Sequence, residues 1–287
     1  MGPTAVGKTS FAIELAKALN TEIISADARQ CYHELNIGVA RPSLEELGAV
    51  RHHFIASHAI QDTVNAAVFE EYALAKTTQL FTSKDAVVMV GGTGLYIKAF
   101  CEGLDAIPSI DPAVRLAIIA QYEKSGLAWL QKEVAEKDPS YWSQAEQDNP
   151  HRLMRALEVV LGAGASILSF QKQTKVERSF RIVKIGLEMP RLTLYERINQ
   201  RVLNMVEAGL EQEVIDLKPF FNLNALQTVG YQEWLPYFEG KISKEKVIEL
   251  IQQNTRRYAK RQMTWFKKDA EIQWYQAAAA SISQIIA

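Results

Sequence analysis

The sequence predicts an α/β protein: a parallel sheet covered by helices and interrupted by an inserted helical subdomain. Three observations predict it. Short β-like runs alternate with helical stretches through the first third of the chain, the pattern of βα units. The chain opens with "MGPTAVGKTS", in which Gly2, Gly7, Lys8 and Thr9 fit G-x-x-x-x-G-K-[ST], the phosphate-binding loop (P-loop). A punctuated segment, "IPSIDP", then gives way to some sixty residues of helical pattern before strand character resumes at "SFRIVKIGLEM".

The elements follow in order. Lys8–Leu19 places apolar residues at helical spacing directly after the loop. Glu22–Ser25 reads as a short strand ending at Asp27, and Ala86–Val90 ("AVVMV") reads as a buried strand running into the Gly91–Gly94 turn. In open parallel sheets ligands sit beyond the carboxyl ends of the strands, so the loop, Asp27 and that turn are expected to converge. The range 111–173 reads as helical, with breaks at "DPSYW" and "DNPHR". Ser179–Met189 returns to strand, and Leu192–Ala208, Gln212–Leu217 and Ser243–Lys268 are helical. The tail "QAAAASISQIIA" reads as a frayed helix or an unrelated end. The expected division is a P-loop NTPase-like core, residues 1–108 and 181–287, with a helical insertion at 109–180. A P-loop normally emerges from a central strand, and no strand precedes Met1 in this sequence. The first strand of the sheet is therefore expected to be missing.

Composition narrows the class. The 287 residues are 23% charged and 48% apolar with a net charge of −1, ordinary for a globular protein. No global field draws the chain to nucleic acid or membrane, although local clusters act within about 8–10 Å in physiological salt. Two cysteines, Cys31 and Cys101, exclude a disulfide framework and a four-cysteine zinc module, and suit a reducing compartment. The longest apolar run is far too short to span a bilayer. There is no signal-peptide pattern, so a cytoplasmic protein is expected.

The loop, Gly2, Pro3, Thr4, Ala5, Val6, Gly7, Lys8 and Thr9, turns backbone N–H groups toward anionic oxygens at the positive end of the following helix. Lys8 adds a full charge, and the Thr9 hydroxyl can coordinate Mg²⁺. Nucleotide hydrolysis or kinase chemistry would want a strand ending in Asp to organise the metal. "AVVMV" instead runs into "GGTGLY", and no guanine-reading Asn-Lys-x-Asp is present. The loop is better matched to a diphosphate that leaves than to a γ-phosphate that moves.

These residues carry a family resemblance. "GPTAVGKT" (2–9), "SADARQCY" (25–32), "GVARP" (38–42), "HHFIAS" (52–57), "VGGTGLY" (90–96), "NPHRLMRALEV" (149–159), "LYERINQRV" (194–202), "TVGYQE" (228–233) and "TRRYAKRQMTWFKK" (255–268) occur in the order found in tRNA dimethylallyltransferases, also called tRNA isopentenyltransferases. The sequence resembles that family, in its bacterial type, from Gly2 to Lys268. The resemblance implies transfer of a dimethylallyl group from dimethylallyl diphosphate to the exocyclic amine of an adenine. That adenine lies 3′-adjacent to the anticodon of tRNAs reading UNN codons. Mg²⁺ assists and diphosphate leaves. It further implies a monomer that needs no protein partner.

The resemblance also implies roles for residues. Asp27 would take the proton from the adenine amine, and Thr93 would supply a donor hydroxyl. An arginine of "ERINQR" would meet the diphosphate; Arg197 and Arg201 are one helical turn apart, and spacing does not separate them. Asp27, Ala28, Arg29, Gln30 and Thr93 would meet the everted nucleotide. Arg115 and the run His151, Arg152, Leu153, Met154 and Arg155 would grip the anticodon arm. His151 departs from the family, which commonly has Arg or Gln there. In the range 255–268, Arg256, Arg257, Lys260, Arg261, Lys267 and Lys268 fall on one arc of about 140° at about 100° per residue, free to meet phosphates. Val247, Ile251, Tyr258, Gln262, Trp265 and Phe266 fall opposite and are expected to pack inward. The competing readings are an adenylate isopentenyltransferase acting on free AMP, ADP or ATP, a P-loop small-molecule kinase, and an inactive RNA-binding relative.

Overall fold

The computed structural model describes residues 1–171 and 175–286. The chain forms two compact units, Met1–Cys101 with Arg178–Ala287, and Glu102–Glu177. The sequence reading placed the changeovers at 108/109 and 180/181.

The first unit begins with the loop and helix α1 (Lys8–Ala18). Ala5 (φ 64°) and Gly7 (φ 104°) both lie in the left-handed region, and Gly7 caps the helix. This reversal of hand points successive N–H groups to one side, the geometry of an anion nest. Next come β1 (Ile23–Ala26), α2 (Leu44–Ala49), β2 (His52–His53), α3 (Ala66–Leu80), β3 (Val88–Gly91) and α4 (Gly94–Glu102). The strands form a parallel sheet in the order β2-β1-β3, with Ile23 opposite His52 and Val88, and Ala26 opposite Gly91. Parallel strands buried on both faces read as apolar runs, as "IISA" does: all four of its residues are buried.

The second unit is helical. Asp111 caps α5 (Pro112–Lys137), which bends at Gly126; α6 (Pro139–Trp142) follows. Asn149 caps α7 (Pro150–Ala163), and Gly164 ends it in the left-handed region. The side chains of Ile118, Leu130, Val134, Leu153 and Leu157 form its core. Burying each contributes about 1.5–3 kcal/mol before the entropy of ordering. The expected helical range of 111–173 is shorter than anticipated because Gly164 stops α7, and its Lys172 and Gln173 lie outside the described residues.

The first unit resumes with β4 (Ile185–Glu188), α8 (Arg191–Glu207), α9 (Leu210–Leu217), α10 (Leu235–Phe238), α11 (Lys244–Phe266), β5 (Gln273–Gln276) and α12 (Ile282–Ile286). β4 and β5 pair in parallel as a separate two-stranded sheet. The expected strand Ser179–Met189 is thus cut to four residues, because the ladder with β5 begins only at Ile185. β5 itself, "QWYQ", has no apolar run to announce it. The whole is the parallel α/β core with a helical insert that the sequence implies.

Candidate active site

Three chain segments that end or begin at the sheet's carboxyl edge build one cavity of about 280 Å³. Its wall includes Gly7, Lys8 and Thr9 from the loop, Asp27 and Gln30 from beyond β1, Gly91 and Gly92 from beyond β3, and Arg197 and Arg201 from α8. The convergence expected of the loop, the carboxylate and the glycine turn is therefore present, and both arginines join it.

Lys8 donates from Nζ to the Pro3 carbonyl at 2.7 Å, which holds its stem across the loop. Burial pushes the Lys8 ammonium down to about 8, with the Asp27 carboxylate opposing and the Arg201 guanidinium adding to the fall. Burial also lowers Arg201, Arg197 lowers it further, and Glu46 on α2 opposes. Clustered, desolvated cations are mutually unfavourable until an anion arrives, which is the electrostatic signature of an anion site.

Asp27 is oriented by an Asx turn: Oδ1 accepts the N–H groups of Arg29 at 2.9 Å and Gln30 at 3.2 Å. Its second oxygen takes no part in that turn. Thr93 Oγ1 accepts the Ala28 N–H at 3.0 Å, tying the glycine turn to the segment that carries Asp27. The Gln30 side chain is committed to the protein, since Nε2 donates to the Val39 and Ala40 carbonyls at 3.2 and 2.9 Å. It braces the "GVARP" loop and has little left for a base edge.

That loop is clamped from its other side. Glu213 accepts the N–H groups of Asn36, Ile37 and Gly38 at 3.2, 2.7 and 3.0 Å, and the Tyr231 hydroxyl at 2.6 Å. Arg41 donates to the carbonyls of Tyr32, His33 and Leu35. The blocks "GVARP" and "TVGYQE" are thereby explained as one folded corner.

Sequence reasoning placed Gln262 among the residues packing inward and gave it no task. It is buried, and it staples the two anion-facing loops together. Its Oε1 accepts the Thr4 N–H at 2.8 Å and its Nε2 donates to the Gly92 carbonyl at 2.9 Å. A Cβ on Gly92 would lie 2.2 Å from that amide, so glycine is required there for close approach. The available signal was a buried amide on the apolar face of an amphipathic helix, which must find partners. Tyr258, on the same face, also lines the cavity; burial pushes its hydroxyl up to about 12, against a hydrogen bond to Thr93. Trp265 departs from its expected burial: it is 40% exposed and its ring lies against Gly94. Cys31 is fully buried, and burial raises its thiol to about 12, which makes it inert at neutral pH.

Of the expected phosphate arc on α11, Arg256 is engaged with Asn199 and Lys267 with Glu188, at 2.5 and 2.7 Å. Arg257, Lys260, Arg261 and Lys268 are exposed. Within the helical unit, Glu158 is buried and pairs with Arg115 at 2.8 Å and Arg155 at 3.0 Å, while Arg152 pairs with Glu146 at 2.7 Å. His151 is exposed and Met154 half-buried. Leu153 has no exposed surface: it is a core residue, and its side chain is not available to RNA, contrary to the role expected for it. Helical periodicity explains this, since position 153 lies on the face that α7 turns to α5.

Comparison with known proteins agrees with this geometry. The family model described as IPP transferase matches residues 30–269. A tRNA dimethylallyltransferase of Christiangramia forsetii is 48% identical over 96% of this chain and 91% of its own length. One of Cytophaga hutchinsonii is 46% identical over 96% and 90%. The crystal structure of the tRNA isopentenylpyrophosphate transferase of Bacillus halodurans superposes with a TM-score of 0.71 at 34% identity, covering 99% of this chain and 91% of that one. With a loop, a carboxylate and two arginines around one anion-sized cavity, and with this extent of similarity, the chain belongs to the IPP transferase family.

Proposed function

We propose that this protein transfers a dimethylallyl group from dimethylallyl diphosphate to the exocyclic amine of the adenine 3′-adjacent to the anticodon, in tRNAs reading UNN codons. The observation that carries the reading is the one cavity lined by the cations Lys8, Arg197 and Arg201 together with the oriented carboxylate of Asp27.

The amine nitrogen attacks the first carbon of the dimethylallyl group as the carbon–oxygen bond to diphosphate breaks. The electron pair of that bond leaves with the diphosphate. The amine's proton passes to Asp27, whose Asx turn fixes one oxygen and leaves the other to accept it. Lys8, Arg197, Arg201 and the loop N–H groups hold the charge that develops on the leaving oxygens; at comparable sites one such donor is worth about 3–4 kcal/mol. Both arginines serve here, because half-buried Arg201 is near enough to act on the Lys8 charge and Arg197 approaches Gly7.

Mg²⁺ fits the residues present. It keeps several waters and needs one or two protein oxygens besides phosphate, and Thr9 Oγ1 on the cavity wall is such an oxygen. Among the described residues no cluster of three His, Cys, Asp or Glu side chains offers an all-protein cage. When bound it would neutralise diphosphate charge.

The target base must be everted to reach Asp27, which a single-stranded loop makes inexpensive. Arg29 and Thr93, which both act on the cavity residue Tyr258, are the side chains proposed to meet it. The helical unit, with exposed His151 and Arg152, and the exposed cations of α11 supply phosphate contacts to the anticodon arm. No helix of the described residues is long and apolar enough to cross a membrane; a tRNA substrate supports a cytoplasmic site of action, and the family resemblance supports a monomer.

The test is incubation with labelled dimethylallyl diphosphate and Mg²⁺, together with unmodified tRNA or free AMP. Label in tRNA alone is the expected result. Label in AMP would instead assign an adenylate isopentenyltransferase, and phosphate transfer from ATP without prenyl transfer would assign a kinase.

A further inference from the structure

The helical unit buries a carboxylate on a face that is otherwise apolar. The buried positions of α7 are Leu153, Ala156, Leu157, Glu158 and Val159. The four apolar ones join the unit's packed clusters. Glu158 sits among them as an acid. Apolar side chains of similar volume often replace a buried ion pair with no loss of stability. Packing alone therefore does not account for Glu158.

Its partners do. Glu158 Oε2 accepts a hydrogen bond from Nη1 of Arg115, on α5, at 2.8 Å. Its Oε1 lies 3.0 Å from Nη1 of Arg155, one turn back on α7. One carboxylate thus holds two guanidiniums, one from each helix. The side chains of Arg115 and Arg155 are 52% and 39% exposed, so the anion is buried and the cations reach solvent. A guanidinium carries five N–H donors. Among the described residues neither guanidinium has another hydrogen-bonded or ionic partner, so most of these donors remain open. Two cations against one anion leave the cluster positive. Arg152 makes the contrast: its partner Glu146 is itself exposed, and such a pair is screened and holds neither side chain firmly.

We propose that Glu158 is a positioning residue for RNA: it touches no phosphate itself, and it holds Arg115 and Arg155 at a fixed spacing so that both meet the RNA backbone already ordered. The inference rests on the tRNA reading above. Guanidinium forks match phosphate oxygens through paired N–H donors, and a fork held in place loses little freedom on binding. The ordering of two long side chains is then complete when the unit folds and is not demanded by the ligand. Charge alone predicts the opposite effect, because an anion beside a phosphate site weakens the field that attracts RNA. The sign of the change on removing the carboxylate therefore separates positioning from field.

The test measures the affinity of an unmodified anticodon stem-loop RNA, with steady-state kinetics on tRNA, for four full-length proteins. These are wild type, Glu158→Gln, Arg115→Gln with Arg155→Gln, and all three substitutions together. Glu158→Gln keeps the shape and removes the charge. It is expected to weaken RNA binding about five- to a hundredfold, the effect of leaving two long side chains unordered. KM for tRNA should rise in step, while kcat and KM for the prenyl donor hold. The arginine double variant and the triple variant should bind RNA equally, because Glu158 acts only through the pair. That comparison decides alone if Glu158→Gln proves unstable in urea. RNA binding by Glu158→Gln as tight as wild type, or tighter, would overturn the proposal. So would wild-type affinity in the double variant, or a further loss in the triple. A wild type that fails to bind the stem-loop would overturn the tRNA reading as well, whereas wild-type binding that Glu158→Gln leaves unchanged overturns this inference alone.

Discussion

Gln262 gives the sharpest stability prediction. Its two hydrogen bonds, to the Thr4 N–H at 2.8 Å and the Gly92 carbonyl at 2.9 Å, are the polar link between the phosphate loop and the glycine turn. Gln262→Met keeps most of the volume and removes both. A buried group left unpaired costs about 1–3 kcal/mol. The Gly92 bond is buried and pays in full, whereas Thr4 is partly exposed and recovers some of its loss in water. The sum is about 2–3 kcal/mol, a large share of the ~5–15 kcal/mol that holds a domain folded. Urea denaturation should show that loss with an unchanged slope. The two loops on the cavity wall would also lose register, and a displacement near 1 Å can cost about a hundredfold in rate. kcat/KM for the prenyl donor is accordingly expected to fall ten- to a hundredfold. A Gln262→Met enzyme within about 0.5 kcal/mol of wild type and with unchanged kinetics would refute the staple.

Three further outcomes are expected. Lys8 is charged below about pH 8 in the free enzyme, so kcat/KM for the prenyl diphosphate should bend downward above that pH, and Lys8→Arg should move the bend upward. Stability runs the opposite way: the folded value lies below the unfolded 10.5, so the unfolded state holds more protons and Lys8 makes the fold more stable as pH rises from 8 to 10.5. Arg201→Ala and Arg197→Ala should each lower kcat about 10²–10³-fold, as loss of a donor to a leaving oxyanion does, read by single-turnover rates at saturating donor. Lys260→Ala with Arg261→Ala should weaken tRNA binding and flatten the slope of log affinity against log salt by up to about 2, leaving the KM for the prenyl donor unchanged.

Which candidate residues cluster was more legible than where each strand runs. Lys8, Asp27 and Thr93 sit in short ordered blocks whose spacing is fixed by backbone geometry, and the structure brings Lys8 and Asp27 into one cavity and bonds Thr93 to the segment bearing Asp27. The helices were legible because their caps are local: Asp111, Asn149 and Ser243 announce α5, α7 and α11 from within three residues. The strand β5 was not, because "QWYQ" is specified by pairing with β4, eighty-eight residues away in sequence, and not by its own pattern. Gln262 was hidden for the same reason, since its partners Thr4 and Gly92 are distant along the chain. Leu153 shows the converse error. A contiguous block was assigned to RNA, but a helix turns about 100° per residue, and one member of any such block faces the core.

The central claim is that the Asp27 carboxylate removes the amine proton while the cations around Lys8 hold the departing diphosphate. The direct measurement is the single-turnover rate of dimethylallyl transfer into unmodified tRNA by wild type and Asp27→Ala, with tRNA affinity measured in parallel. A rate about 10²–10⁴-fold lower in the variant, with tRNA affinity within several-fold, is the predicted result. Transfer by Asp27→Ala at the wild-type rate would contradict it.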